Sequence, residues 1–429
     1  MRNRCSAPHN PSGHRHRTMN PQGGANSARL IVLAGRVITP HGVSPLHRKP
    51  DGIVISDGRI VAMHYAEDPP DIHATILDFR PFTIAPGILD LHVHGGHGID
   101  FAATDMNGLA EFARKRVSTG TTGVLATIAL PWDALLEQTA HYGRWLEDPS
   151  EDLGIFLGLH IEGPFLNPRR IGALPPESLR VPSTGDLSRL VDASRGLIRM
   201  MTIAPELPGA LDLIARMTEL GIVASIGHTD ATFEQVFEAV RAGARKVTHT
   251  FNAMRPFTHR DPGAVGGVLA HPELFAELIA DGHHVHPGAL AVLLRAKGVA
   301  RIALVTDNVP QAGLPDGIYR TGTYGDPPMV IQDGVAHLAN ADGTPTQTIS
   351  GSVGDIGSHL RLVRDLPGLA LTTDDLFTMA STVPAIILDD QTRGRIQPGA
   401  CADLGIWDES LLQPVATLIG GKVAWSRAT

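Results

Sequence analysis

The sequence predicts an α/β fold, a (β/α)8 TIM-like barrel with a small β-sandwich domain built from both termini. Three observations carry this prediction. Eight apolar runs alternate with helix-like stretches over residues 87–307, turn-rich apolar runs occupy both ends of the chain, and polar residues end several of the eight runs. Because the C-terminal ends of parallel barrel strands share one face, we expect those polar residues to meet at one barrel mouth.

Length and composition agree with this class. The chain has 429 residues, which is long for a single compact core but suits a large barrel with an accessory domain. Hydrophobic residues make up 43% and charged residues 19%, as in ordinary globular proteins. The net charge of −8 argues against a nucleic-acid partner, and no run of about 18 apolar residues indicates a membrane span. Cys5 and Cys401 alone cannot build a disulfide framework, so we expect a cytoplasmic protein.

The two ends of the chain differ from its middle in composition and in the pattern of apolar runs. Residues 1–28 are rich in Arg, His, Pro, Asn and Gly and lack an apolar segment, which predicts a disordered tail rather than a secretory signal. In residues 29–86, Asp57-Gly58 stands between two apolar runs and predicts a hairpin in a small antiparallel sheet. Residues 395–429 also alternate short apolar runs with turn residues. Residues 29–86 and 395–429 are therefore predicted to form the sandwich domain beside a barrel at 87–394.

Eight strand-like runs define the predicted barrel, namely 87–94, 123–128, 154–162, 197–205, 222–228, 246–252, 275–281 and 301–307. Helices are expected between most of them, for example over 106–117, 210–220, 232–242 and 287–296. The link from the sixth to the seventh run and the stretch 308–368 are longer than standard loops. Long loops at this face of a barrel commonly line the substrate pocket.

The candidate metal ligands stand at the ends of these runs. His92 and His94 close the first run and, being two apart on a strand, point to the same face. The others are Glu162 at the end of the third run, His228 at the end of the fifth, His249 in the sixth and Asp307 at the end of the eighth. Each alone is as well explained by a helix cap or a hydrogen-bonded core histidine. Together, four imidazoles and two carboxylates predict a divalent metal site, of one or two Zn or Fe ions. Such an ion makes hydroxide available at neutral pH, and a neighbouring Asp can act as general base and then general acid.

Several motifs carry a family resemblance. They are His-Ile-Glu-Gly-Pro-Phe at 160–165, Gly-His-Thr at 227–229, Thr-His-Thr-Phe-Asn-Ala-Met at 248–254, Arg-Asp-Pro-Gly at 260–263 and Leu-Val-Thr-Asp at 304–307. With them the chain, from about residue 35 to about residue 408, resembles the N-acetylglucosamine-6-phosphate deacetylase family of the amidohydrolase superfamily.

The resemblance implies a fold, an activity and a set of site residues. The activity is metal-dependent hydrolysis of the N-acetyl amide of N-acetylglucosamine 6-phosphate, which gives glucosamine 6-phosphate and acetate. By the same resemblance, Glu162, His228 and His249 hold a metal, His92 and His94 can hold a second ion, and Asp307 is the catalytic residue. The phosphorylated amino sugar would be bound by Asn252, Ala253, Arg260 and His284. A homodimer is also implied.

The chain departs from the family pattern at three places. Leu174 in Gly-Ala-Leu stands where the family usually has a histidine that contacts the substrate, and Asn308 and Val353 also differ from the usual residues. Leucine cannot donate a hydrogen bond to a developing oxyanion, and a missing donor costs on the order of 100- to 1,000-fold in rate in other enzymes. We expect these changes to line one pocket, which puts the exact substrate in doubt but not the hydrolytic class.

Two alternatives to the deacetylase therefore stay open. One is a related amidohydrolase that acts on a different N-acyl amino sugar, N-acyl amine or cyclic amide. Many of the cyclic-amide enzymes use a lysine after the fourth strand, where this chain has Ala204-Pro205-Glu206. The other alternative is a non-catalytic sugar-phosphate-binding protein.

Overall fold

The computed structural model describes residues 29–39, 49–69, 71–147, 154–320 and 328–427, so the predicted tail at 1–28 lies outside the described residues. Eight parallel strands stand side by side in chain order and form the barrel. They are Ile88–Val93, Thr121–Ile128, Phe156–Glu162, Ile198–Ile203, Val223–Ile226, Lys246–Val247, Phe275–Ile279 and Ile302–Val305. These strands are buried along nearly their whole length, which explains their continuous apolar runs, because helices and the barrel interior cover both faces.

Main-chain hydrogen bonds close the barrel between its eighth and first strands. The Asp307 N–H donates to the carbonyl of His92 at 2.8 Å, and the His94 N–H donates to the carbonyl of Asn308 at 2.9 Å. A parallel bridge joins Val93 to Asn308 at the same place. The segment after the eighth strand is therefore held directly against the His-x-His of the first. The predicted barrel is confirmed.

Helices pack around the barrel, and the four helices predicted from the sequence are confirmed to within about one residue at each end. The helices are Met106–Arg116, Trp132–Trp145, Thr184–Ala193, Ala210–Glu219, Phe233–Arg241, Gly263–Ala270, Pro287–Lys297, Ile356–Arg364, Thr373–Phe377 and Val383–Ile387. Thr232 and Gln235 form a capping box that starts Phe233–Arg241, because each side chain accepts a hydrogen bond from the other's main-chain N–H. No helix in the described ranges has the length and apolar character needed to cross a membrane.

Two smaller sheets lie beside the barrel. The first contains Leu30–Leu33, Gly52–Ser56, Arg59–His64 and Thr75–Asp78. The second contains Arg36–Val37, Thr83–Pro86, Leu404–Asp408, Gln413–Ile419 and Lys422–Ser426, so both ends of the chain contribute to it. Side chains of both sheets share one buried apolar cluster, which includes Val32, Ile53, Ile84 and Leu404. This is the packing expected of a β-sandwich.

The hairpin at Asp57-Gly58 is confirmed, with φ values of 51° and 76° that suit a tight two-residue turn. The expectation of one antiparallel sheet over residues 29–86 is wrong. This segment divides between the two sheets, and Leu30–Leu33 pairs in parallel with Thr75–Asp78. Parallel neighbours are joined by long connections rather than tight turns, so local turn signals do not reveal them.

The long stretch after the eighth barrel strand is itself folded. It forms a four-stranded antiparallel sheet of Gly317–Tyr319, Met329–Gln332, Val335–Ala339 and Pro345–Ile349 before the helix Ile356–Arg364 begins. Met329, Leu338 and Ile349 from this sheet line the cavity at the barrel mouth. The expectation that this stretch borders the pocket is confirmed.

Candidate active site

The predicted ligands meet at the barrel mouth, and three of them are placed by unusual backbone geometry. His228, His249 and Asp307 each stand two residues beyond the end of a strand, with φ values of 47°, 28° and 51°. Residues other than glycine adopt such values uncommonly, either in tight turns, as at Asp57, or where the surrounding structure holds the backbone in that conformation. The prediction that His249 lies within the sixth strand is wrong, because the strand ends at Val247 and the positive φ takes the chain out of the extended conformation.

Glu162 is the centre of the cluster. Its Oε1 lies 3.2 Å from Nε2 of His228 and 3.2 Å from Nε2 of His249, and these two nitrogens are 3.0 Å apart. On the other side, Nε2 of His92 lies 3.4 Å from Oε1, and Nε2 of His94 lies 3.3 Å from Oε2. Glu162, His228 and His249 form the first ligand group, and His92, His94 and Glu162 form the second ligand group.

This geometry fits a divalent cation. Neighbouring ligand atoms around a tetrahedral Zn²⁺ with bonds of 2.0–2.1 Å lie roughly 3.3 Å apart. The separations in both groups are 3.0 to 3.4 Å. Imidazole nitrogens and a carboxylate are also the donors that Zn²⁺ and Fe²⁺ accept readily. The chain therefore has residues that can hold a divalent metal at one position or at two positions that share Glu162.

Both carboxylates of the cluster are ionised at neutral pH. Burial by itself raises the pKa of Glu162, but the charge of His92 and hydrogen bonds from His228 and His249 hold that pKa well below its usual value. Burial likewise raises the pKa of Asp307, but the charge of His92 and the hydrogen bond and charge of His94 lower it to about 2. Asp307 is therefore in the form that can accept a proton.

Asp307 stands beside the second ligand group. Its Oδ1 lies 3.3 Å from Nε2 of His92 and 3.3 Å from Nε2 of His94. Both nitrogens are close enough to Oδ1 to share a water molecule or an ion with it. The position suits a general base that works on a nucleophile bound at the cluster.

A cavity of about 420 Å³ opens above the cluster, a size typical of small-molecule sites. The predicted site residues that line it are His94, Glu162, His228, His249, Asn252, Ala253, His284 and Asp307. Leu174 lines it too, so the departure from the family histidine faces the substrate space. His92 is fully buried beneath this surface.

Arg260 is not brought to the cavity. Its side chain is exposed, and it is not among the residues that line the cavity. The chain around it forms a surface turn in which Arg255 pairs with Asp261. Within one chain of this conformation, Arg260 does not meet the other predicted substrate-binding residues.

The expectation that Asn308 and Val353 line the pocket with Leu174 is wrong, because neither lies among the cavity residues. Asn308 is buried, and its amide donates to the Ser352 hydroxyl and to the Gly354 carbonyl, both at 2.9 Å. Its side-chain oxygen accepts a hydrogen bond from Arg116 at 2.7 Å. Asn308 and the altered Gly-Ser segment therefore support one another behind Asp307, and of the three departures only Leu174 touches the substrate space.

Asp281 is a site residue that sequence reasoning missed. Its Oδ2 lies 2.6 Å from Nδ1 of His284, and its Oδ1 accepts the main-chain N–H of His284 at 2.9 Å. Burial lowers the pKa of His284, but the hydrogen bond and charge of Asp281 outweigh it, so the pKa is raised. The same contacts lower the pKa of Asp281 against the effect of burial. The spacing Asp-Gly-x-His was the signal that could have identified this pair.

Glu206 is a second residue that sequence reasoning missed. The sequence indicated only that this position after the fourth strand has no lysine. Its carboxylate accepts hydrogen bonds from the Thr229 hydroxyl at 2.6 Å, the Asp230 N–H at 2.6 Å and the Asn167 side chain at 2.8 Å. Glu206 therefore holds the loop that follows His228. Its place directly after the fourth barrel strand was the available signal.

Comparisons with known proteins agree with this site. Residues 83–424 match the model of the amidohydrolase family. The N-acetylglucosamine-6-phosphate deacetylase of Lysinibacillus sphaericus is 36% identical over 329 residues, which cover 77% of this chain and 82% of that protein. The N-acetylgalactosamine-6-phosphate deacetylase of Escherichia coli O157:H7 is 30% identical over 383 residues, which cover 89% and 96%.

A solved structure shows the same fold. It is a mutant N-acetyl-D-glucosamine-6-phosphate deacetylase of Mycobacterium smegmatis in complex with N-acetyl-D-glucosamine-6-phosphate. It is 32% identical to this chain, with a TM-score of 0.82, and the match covers 93% of this chain and 100% of that one. The chain therefore belongs to the amidohydrolase family and, within it, to the group of N-acetylglucosamine-6-phosphate deacetylases.

Proposed function

We propose that the protein hydrolyses the N-acetyl amide of N-acetylglucosamine 6-phosphate to glucosamine 6-phosphate and acetate. The observation that carries this proposal is the Glu162-centred ligand cluster with ionised Asp307 beside it, on the wall of a cavity of about 420 Å³. We further propose that the metal is Zn or Fe, and that one or two ions are bound. The names of the relatives support the substrate.

Different residues of the chain have different roles in this reaction. A bound divalent ion would polarise the amide carbonyl and lower the pKa of a water molecule. Asp307 takes a proton from the nucleophilic water and delivers it to the departing nitrogen, which leaves as the amine. His284, with its pKa raised beside Asp281, offers a cationic donor to the sugar phosphate. Asn252 and Ala253 border the same cavity and bind the sugar.

A homodimer and a cytoplasmic location remain predictions from the sequence. Arg260 is exposed and outside the cavity of its own chain. Arg260 can contact the phosphate in its own chain only if its surface turn rearranges. Otherwise the phosphate could be contacted only by the Arg260 of a second chain in a dimer. Sedimentation of the protein, together with the KM of Arg260→Ala for the phosphorylated substrate, tests this part of the proposal. If the protein is a monomer and Arg260→Ala has the KM of the wild type, Arg260 does not bind the substrate.

The experiment that tests the proposed function is an acetate-release assay on three compounds, with the metal content of the same sample measured. They are N-acetylglucosamine 6-phosphate, its galactosamine epimer and unphosphorylated N-acetylglucosamine. We expect fast release from the first and much slower release without the phosphate. If metal-loaded protein releases acetate from none of them, the substrate is a different N-acyl compound. Binding of the sugar phosphate without turnover would favour the non-catalytic alternative.

Leu174 provides a prediction about specificity. We expect Leu174→His to raise kcat/KM for N-acetylglucosamine 6-phosphate by about tenfold, because it adds a hydrogen-bond donor to the cavity wall. This gain is smaller than the 100- to 1,000-fold worth of an evolved oxyanion donor, since the surrounding residues do not hold the new ring in place. Leu174→Phe is the matched control, with a ring but no donor. Equal rates for the two variants would show that no donor is missing.

Asp281 provides a prediction about pH. Because Asp281 raises the pKa of His284, protonated His284 persists to a higher pH than an ordinary histidine. Asp281→Asn removes that effect and leaves burial, which lowers the pKa. We therefore expect the KM of the variant for the phosphorylated substrate to start to rise at a lower pH than the KM of the wild type does. The unphosphorylated sugar is the control and should show no such shift, and an identical shift for it would contradict a phosphate contact.

A further inference from the structure

A buried ion pair lies behind the second ligand group. Lys246 begins the sixth barrel strand and Glu277 lies in the middle of the seventh, and both side chains are fully buried. The Lys246 ammonium contacts Oε2 of Glu277. Neither residue lines the cavity, so this pair does not touch a substrate there. A buried ion pair seldom contributes net stability over apolar residues of similar size, which suggests another role.

Glu277 also contacts His92. Its Oε1 lies 2.5 Å from Nδ1 of His92, while Nε2 of His92 faces Glu162 and Asp307. The main-chain carbonyl of Glu277 accepts the N–H of Thr250 at 2.8 Å, next to the ligand His249. Glu277 therefore reaches the ligand cluster through its side chain and its backbone.

We propose that Lys246 and Glu277 are positioning residues that hold His92 ready for an ion and determine how tightly the second ligand group binds it. This inference rests on the proposed metal site but not on the identity of the substrate. A carboxylate that accepts the Nδ1–H of an imidazole keeps the lone pair on Nε2, orients the ring and strengthens it as a ligand. His92 has this arrangement, with Nε2 on the cluster side.

Lys246 is needed because of the charge of Glu277. An isolated carboxylate in a dry barrel interior would take up a proton or attract a cation. The carboxylates Glu162 and Asp307 lie on the other side of His92, 3.4 Å and 3.3 Å from its Nε2. Lys246 lies against Oε2 of Glu277, which leaves Oε1 directed at Nδ1 of His92 while Glu162 and Asp307 lie on the side of Nε2.

The test compares two double variants that both remove the buried charges. Lys246→Met with Glu277→Gln keeps a hydrogen-bond acceptor for His92, and Lys246→Met with Glu277→Leu removes it. Lys297→Met is the matched control, because Lys297 is also a largely buried lysine but donates to the carbonyl of His271. Zn²⁺ is titrated into metal-free protein against a chelator, and the number of ions and each Kd are measured. His94→Ala identifies the ion of the second ligand group.

We expect the Leu double variant to bind that ion about 10- to 100-fold more weakly, as removal of such outer partners does elsewhere, and the Gln double variant to retain most of the affinity. In both double variants, the first ligand group should bind Zn²⁺ within about twofold of the wild-type Kd. Lys297→Met should bind both ions within about twofold of the wild-type values. Equal weakening of both groups, with a lower Tm, would mean that the pair is only structural and would overturn the proposal. So would a single ion that His94→Ala does not affect. The test measures metal binding and not acetate release. A wrong assignment of the substrate would therefore not change its outcome, and the two failures can be told apart.

Discussion

Asp307→Asn is expected to lower kcat by about 100- to 10,000-fold while the protein keeps its metal. Asparagine has nearly the shape of aspartate but cannot take up a proton, and positioned general acid–base groups contribute about that factor. Asp307 lies 3.3 Å from Nε2 of both His92 and His94. Glu162 also contacts both nitrogens, but it is the ligand shared by the two groups, and Glu277 contacts His92 only at Nδ1, on the side away from the cluster. Steady-state kinetics together with metal analysis of the same sample measures the effect.

The control for this variant is Asp212→Asn, which removes the same charge from the exposed first turn of the helix Ala210–Glu219. Its kcat should equal that of the wild type. If Asp307→Asn turns over at the wild-type rate, Asp307 has no part in proton transfer. If it loses activity together with its metal, Asp307 is a ligand and the assignment of its role changes.

Glu162→Gln is expected to abolish tight metal binding and to reduce kcat by at least about 1,000-fold. Glu162 is shared by the two ligand groups, so one substitution removes a charged donor from both. A Lewis acid stabilises the transition state by several kcal/mol, and each 1.4 kcal/mol corresponds to about a tenfold change in rate. The amide of glutamine is a weaker ligand for Zn²⁺ than a carboxylate, because it has no charge.

Metal content per chain after dialysis is the primary measurement for Glu162→Gln, and acetate release is the second. Glu219→Gln is the matched control, since Glu219 is an exposed residue whose carboxylate lies 2.7 Å from Arg216 on the same helix. Two ions bound to Glu162→Gln with wild-type affinity would show that Glu162 does not join the two groups.

The barrel and its ligands were predictable from the sequence for a common physical reason. A strand that is covered on both faces needs apolar residues along its whole length, so its run stands out, and a polar residue at the end of such a run has few structural explanations. His92, Glu162 and Asp307 are recognised in this way, and in the structure Nε2 of His92 lies 3.4 Å from Glu162 and 3.3 Å from Asp307.

Other features were not predictable because they depend on contacts between distant segments. Residues 29–86 read as one antiparallel sheet, yet the chain divides them between two sheets that include parallel neighbours. His249 was expected inside a strand because the apolar run continues past Val247, but the backbone turns at that residue. Local patterns report which side chains are buried and not which strand lies next to which.

The sequence by itself determined the barrel, the sandwich strands near both termini, the ligand types and the family resemblance, because periodicity, turn residues and motifs are local properties of the chain. Only the tertiary structure decided that Leu174 faces the cavity while Asn308 faces away and Arg260 stands outside. It also decided that Lys246 meets Glu277 behind His92. These relations depend on strand order and on the φ values at the barrel mouth, and burial and charge act there between residues far apart in sequence.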